Sequence, residues 1–168
     1  MLRPEQRHGM LLFDEIFVRE SVNFDSQNST YKGLEDFGGE APTSGLKANH
    51  GLVFLFQSFS ANFTQPIAIF ASRDPVKGTV LAQLVIKAIC LLENAGAKVD
   101  GLVSDGATSN RKLWSELGVS GEKDNLKNKF DHPLDSDRHI YVFSDAPHLI
   151  KNVRNRLINK KSLRVNIL

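Results

Sequence analysis

The spacing of apolar residues changes partway along the chain, and that change restricts which folds are open to it. Up to residue 72 the apolar residues come in short runs, 11–18 (LLFDEIFV), 52–59 (LVFLFQSF) and 66–72 (PIAIFAS), each bounded by polar or Gly-containing segments. Runs of this length, rich in Phe, Val and Leu, are read as strands. The stretch between the first two, Asp25 to His50, is dense in Ser, Asn, Gly and Pro, which is loop chemistry with room for a short strand near Tyr31 to Phe37. Then Val80, Leu81, Leu84, Val85, Ala88, Leu91 and Leu92 recur at three and four residues, predicting a helix from Gly78 to Asn94 that Ala95-Gly96 ends. A strand at 99–104 (VDGLVS), a helix at about 109–117, a connector at 118–138 that reads as one long exposed loop, a strand at 139–144 (HIYVFS) and a helix from Pro147 follow. Strands joined through helices need crossovers, so the later strands are expected to run parallel in one sheet. The fold class read from this order is α/β: a mixed sheet of about five strands, three antiparallel ones first and then αβαβα, with flanking helices.

Composition narrows the class without naming a function. With 168 residues, 41% hydrophobic and 24% charged, the chain has room for one domain with a real core. No apolar run approaches the roughly 20 residues of a membrane span, and Met1 to Met10 has no apolar core of a signal peptide, so an intracellular protein is expected. The single Cys90 excludes an internal disulfide and any cysteine-based zinc finger, and its apolar helical setting suits core packing. The net charge of +2 is unevenly distributed. After Asp145 there is no acidic residue, whereas Lys151, Arg154, Arg156, Lys160, Lys161 and Arg164 are all positive. Such a segment either tracks phosphates or is a solvated helix face.

Three aspartates stand at the strands. Asp14 interrupts an apolar strand, where an unpartnered carboxylate would be costly to bury. Alternation puts Leu12, Asp14 and Ile16 on one face and Phe13, Glu15 and Phe17 on the other, so Asp14 and Glu15 are not expected to share one site, and the residues alone do not choose between them. Asp105 follows VDGLVS and Asp145 follows HIYVFS, both at strand carboxyl ends where open sheets gather ligands. Each also has a local reading: an Asp-Gly turn for Asp105, and a helix cap ahead of Pro147 for Asp145. If the three strands are neighbours, their carboxylates converge, and convergent hard oxygens bind Mg²⁺ and serve phosphoryl transfer. A small-molecule phosphotransferase would need Gly-rich phosphate loops, for which Gly38-Gly39 and the SDG turn are the only candidates.

The blocks LLFDEIFV, GLVFLFQSFSANFTQPIAIFASRDPVKG, GLVSDGATSNRKLW and IYVFSDAPHLIKNVRN, in this order between Leu11 and Asn159, resemble the P-element-type DNA transposases. The resemblance implies an RNase H-like domain that cuts transposon ends and joins them to target DNA in the nucleus. It implies Mg²⁺ held by two aspartates and a later glutamate, with Asp14 and Asp105 matching the aspartates as catalytic residues and metal ligands. It places a GTP-binding insertion after the block SDAPHLIKN, which makes Asp145 and Lys151 the beginning of a GTP site, with Lys151 suited to a nucleotide phosphate. The corresponding division is an N-terminal extension at 1–10, a partial RNase H-like domain at 11–145, and the start of the insertion or a basic C-terminal helix at 146–168. The family's glutamate, GTP-binding insertion, zinc-binding DNA-recognition domain and helical dimerisation segment are not expected within these residues. Little strand cleavage is therefore expected from the chain alone, although a full-length form could be a homo-oligomer. The alternative is a domesticated, non-catalytic module that binds DNA or a protein through the retained fold and the basic tail.

Overall fold

The computed structural model describes residues 3–160. Lys161 and Arg164, and the part of the expected 146–168 segment beyond Lys160, lie outside the described residues. In chain order, a 3₁₀ turn (Pro4–Arg7) leads into β1 (His8–Phe17), then β2 (Asn23–Asp25), β3 (Thr30–Lys32), β4 (His50–Ser58), β5 (Thr64–Ser72) and α1 (Gly78–Asn94). There follow β6 (Lys98–Ser104), α2 (Thr108–Glu116), β7 (Ser120–Glu122), β8 (Asn125–Lys127), β9 (Lys129–Asp131), β10 (His139–Ser144) and α3 (Ala146–Lys160).

Six strands form the main sheet in the order β5-β4-β1-β6-β10-β9. β4 pairs antiparallel with both β1 and β5, while β6 runs parallel to β1 and β10 parallel to β6. This is the antiparallel-then-parallel order expected from the switch in apolar period. The connector is the departure. Residues 118–138 are not one exposed loop but a β7–β8 hairpin followed by β9, which adds a sixth strand antiparallel to β10. Its anchors are Phe130 and His132, both buried, and a three-residue strand is too short to show alternation. β1 begins at His8, so residues 8–10 of the expected extension are strand. The short strand expected near Tyr31 belongs to a β2–β3 hairpin.

One face of the sheet carries the core. Leu11 and Phe13 of β1, Leu52, Phe54 and Phe56 of β4, Val99 and Leu102 of β6 and Ile140 of β10 pack against Leu81, Leu84, Val85 and Ile89 of α1 and Leu113 of α2. Each such side chain contributes about 1.5–3 kcal/mol by leaving water. The two helices approach closely because Gly78 opens α1: a Cβ there would meet Lys112 Cβ and the Ser109 carbonyl oxygen, each at 2.6 Å. On the opposite face Leu12, Val53, Leu55 and Val103 are half-buried, and Tyr141 and Phe143 are exposed.

The amino end of β6 is fastened by a polar network. The Glu93 carboxylate, at the end of α1, accepts from Val99 N–H (2.8 Å), Lys98 Nζ (3.0 Å) and Arg138 Nη1 (2.9 and 3.0 Å), and lies 3.1 Å from His132 Nε2. Arg138 Nη2 donates to the Val99 carbonyl and to Asp100, which also meets His8 Nδ1 at 2.7 Å. Burial works to raise the Glu93 pKa, but the Val99 N–H and the Lys98 and Arg138 cations outweigh it and hold it at about 2.

Candidate functional site

Which carboxylate joins Asp105 is decided by a bulge. At the start of the β1–β6 pair Gly9 stands opposite Val99, but Met10 stands opposite Gly101, so Asp100 is skipped. From there Leu12 faces Val103, and Phe143 of β10 faces Val103 on the other side. One pleat further, on the same face, come Asp14, Asp105 and Asp145. Backbone pairing continues past β6 and β10, with Asp145 N–H donating to the Ser104 carbonyl at 2.9 Å. All three carboxylates line a cavity of about 270 Å³ together with Leu12, Val53, Leu55, Val103 and Ser104.

Each aspartate is fixed locally. Asp105 Oδ1 accepts from Ala107 N–H at 2.9 Å and from the Asn110 side-chain amide at 2.7 Å. This is the turn chemistry expected of Asp-Gly, but it uses a single carboxylate oxygen. Neither Thr108 nor Ser109 caps α2; the cap position is Ala107, which makes no side-chain cap bond. Asp14 Oδ1 accepts from the Glu15 N–H at 2.8 Å. Asp145 directly precedes α3, its carbonyl accepting from Leu149 N–H, and its Oδ2 lies 2.5 Å from His148 Nδ1. That hydrogen bond, reinforced by the negative charges of Asp145, Asp105 and Asp14, raises the His148 pKa.

Glu15 points to the core face, as alternation requires, yet it is not remote from Asp14. The sheet ends here, and a second cleft of about 440 Å³ wraps around the strand ends, lined by Asp14, Glu15, His50, Asp105 and the first turn of α2. The expectation that Asp14 and Glu15 cannot share a site holds for the sheet faces and fails at this rim. Burial pushes the Glu15 pKa up, Val76 N–H (2.9 Å) and His50 oppose this, and the charges of Asp14 and Asp105 add to the rise.

The donors suit a hard divalent cation only in part. Asp14 and Asp105 each keep one oxygen without a hydrogen bond among the described residues. Oxygen donors of this type are those Mg²⁺ takes. Among the described residues no group of three or more His, Cys, Asp or Glu is arranged to hold a metal ion. Lys151 lies exposed on α3 and lines neither cleft. Asn110, Ser104 and His148 were not singled out by the sequence; the only hint for Asn110 was its place one helical turn into α2 after the SDG turn.

Comparison with known proteins places this chain in a family. Residues 2–118 match the family described as TNP-like, RNase H N-terminal domain, a span that includes Asp14, Asp105 and Asn110 and ends before Asp145. The chain belongs to this family. Over 150 residues this TNP-like RNase H domain is 33% identical to the Transposable element P transposase of Drosophila melanogaster, covering 89% of the chain and 17% of that protein. It is 24% identical over 160 residues to the human DNA transposase THAP9, covering 92% of the chain and 17% of that protein. The chain therefore spans about a sixth of the length of these relatives. Among solved structures it resembles a chain of the Drosophila P element transposase strand transfer complex, with a TM-score of 0.74 and 28% identity, covering 93% of this chain and 30% of that one. The fold is RNase H-like and the domain is transposase-related.

Proposed function

We propose that this TNP-like domain contributes the two-aspartate half of a Mg²⁺-dependent DNA strand-cleavage and strand-transfer centre, acting on transposon ends and target DNA in the nucleus. The observation that carries the reading is that Asp14 and Asp105, each two residues beyond the Leu12–Val103 pair of the adjacent parallel strands, line one cavity, each with one oxygen that has no hydrogen bond among the described residues. Asp14 and Asp105 would hold the ion between them. Bound there, Mg²⁺ would supply charge stabilisation at a phosphodiester and lower the pKa of an attacking water or 3′-hydroxyl. The chain's own part is to fix the two carboxylates on a rigid sheet rim and to leave the cavity open on the face away from α1. The resemblance would give Asp145 and Lys151 to a nucleotide such as GTP. Asp145 stands in the carboxylate row and Lys151 outside it, so the two make no joint site among the described residues.

The test is Mn²⁺ titration followed by electron paramagnetic resonance. Binding that is lost in both Asp14→Asn and Asp105→Asn supports the reading; binding indifferent to both substitutions refutes it.

A second reading, a non-catalytic DNA-binding module, is favoured by α3. Its described residues carry Lys151, Arg154, Arg156 and Lys160 and no acidic residue, and none is buried. Duplex binding whose affinity falls steeply with salt, unaffected by Asp14→Asn, would favour this module.

A further inference from the structure

We infer that Asn110 is the positioning residue that makes Asp105 a one-oxygen ligand. The inference rests on the proposed cation site and concerns a residue to which neither the fold nor the comparisons assign a role. Asn110 is buried, at 7% exposure, in the first turn of α2, and its side chain reaches back across the SDG turn. Its Nδ2 donates to Asp105 Oδ1 at 2.7 Å and lies 3.3 Å from the Asp105 carbonyl oxygen. The amide can face the carboxylate only through its nitrogen, because its oxygen would repel both acceptors, so the contact has a fixed polarity. Ala107 N–H adds a second donor to the same Oδ1 at 2.9 Å.

Two donors on one oxygen set the plane of the carboxylate and leave Oδ2 as the atom without a hydrogen bond among the described residues. On β1 the Glu15 N–H similarly engages Asp14 Oδ1. The pair therefore presents two single oxygens rather than two bidentate groups, which leaves coordination positions for water and phosphate oxygens. Helix α2, anchored to α1 by Leu113 and by the close approach at Gly78, carries Asn110 as a rigid arm. Ligand-orienting partners of this kind typically change metal affinity by about 10–100-fold when removed.

The experiment uses the whole chain with Mn²⁺ as the probe and reads two quantities: affinity, from the free-Mn²⁺ resonance signal, and the number of bound waters, from water-proton relaxation. Asn110→Leu removes the side-chain donor at nearly constant volume. Ala107→Pro removes the backbone donor at a residue whose φ of −57° already suits proline, and it decides the matter if Asn110→Leu fails to fold. The expected result is affinity lowered about tenfold or more in each, with fewer bound waters as a freed Oδ1 joins the ion. The relaxation readout would not move if Asn110 were merely structural. Wild-type affinity and hydration in a folded variant, while Asp14→Asn and Asp105→Asn abolish binding, would overturn the positioning role and leave the cation site standing. Mn²⁺ binding that is absent from the wild type, or indifferent to both aspartates, would overturn the site and the positioning role together.

Discussion

Met10 of β1 stands opposite Gly101 of β6, one residue later than the pairing of Gly9 with Val99 would set. Without that bulge Asp14 would share a row with Ser104, and Glu15 would share one with Asp105. The skipped residue thus selects Asp14 over Glu15 as the partner of Asp105. Neutralising the two neighbouring carboxylates should therefore have unequal effects on cation binding. Asp14→Asn is expected to lower Mn²⁺ affinity at least about tenfold, and Glu15→Gln to leave it within about twofold.

Glu15→Gln should also stabilise the fold at neutral pH. Burial raises the Glu15 pKa, so its ionised form is the costly one; the amide oxygen can still accept from Val76 N–H. The sign follows from a folded pKa above the unfolded one: the stability Glu15 contributes is present below the ordinary value of 4.5 and is lost as pH rises through the folded pKa. A higher Tm than the wild type is expected near pH 7, and the difference should vanish below pH 4.5 in thermal melts. No gain at neutral pH would show that the Glu15 charge is compensated by His50.

The opposite sign applies at the other end of the sheet. Glu93 is almost fully buried, with its pKa held at about 2 against an ordinary 4.5. Its contribution is complete above pH 4.5 and is lost as pH falls through 2. Glu93→Gln removes the charge that Arg138 and Lys98 were placed to meet, an event costing about 3 kcal/mol for a buried pair. Urea midpoints should fall accordingly at pH 7. Between pH 4.5 and 2 the wild type should lose stability more steeply than the variant, and parallel curves would show that the network does not titrate as a unit.

How much of this was legible depended on the range of each signal. The helix at Gly78–Asn94 and the strand at His139–Ser144 were readable because each carries its own period over several residues. Strand order, and with it the convergence of Asp14, Asp105 and Asp145, followed from the succession of elements. The choice between Asp14 and Glu15 did not, because it depends on a bulge at Asp100 that leaves no local trace. Strand β9 was missed because three residues cannot display alternation and its anchors, Phe130 and His132, look like ordinary loop residues. Glu93 meets His132 and Arg138 from far along the chain, and no spacing rule reaches that distance.

His148 offers a direct probe of the carboxylate row. Its pKa is raised first by the hydrogen bond it donates to Asp145 and then by the charges of Asp145, Asp105 and Asp14. The stability this pair contributes is full below 6.5 and is lost as pH rises through the higher folded value. Proton resonances of the imidazole should titrate above 6.5 in the wild type, move down most in Asp145→Asn and move less in Asp14→Asn. An unchanged midpoint in Asp145→Asn would place His148 away from the row.

Strand cutting by the 168-residue chain with Mg²⁺ or Mn²⁺ is expected to be negligible. Two carboxylates hold an ion less tightly than three, and a misplaced charge-stabilising group costs about a hundredfold or more in rate. A supercoiled-plasmid nicking assay checks this. Robust cutting that disappears in Asp14→Ala would mean that another described carboxylate, with Asp145 the nearest in register, completes the centre.

GTP supplies the last distinction. A nucleotide site needs a cation over the phosphates and an acceptor for its base or sugar within one pocket. Here Asp145 lies in the carboxylate row and is engaged by His148, whereas Lys151 is exposed on α3 and lines neither cleft. Anionic phosphates would also approach three aspartates without a bound cation between them, which is repulsive at this range. Calorimetric titration of the chain with GTP should therefore show no micromolar binding, with or without Mg²⁺. Micromolar affinity that Lys151→Ala abolishes would show instead that α3 reorganises to bring Lys151 over Asp145, and that the basic helix belongs to a nucleotide site and not to a DNA-facing surface.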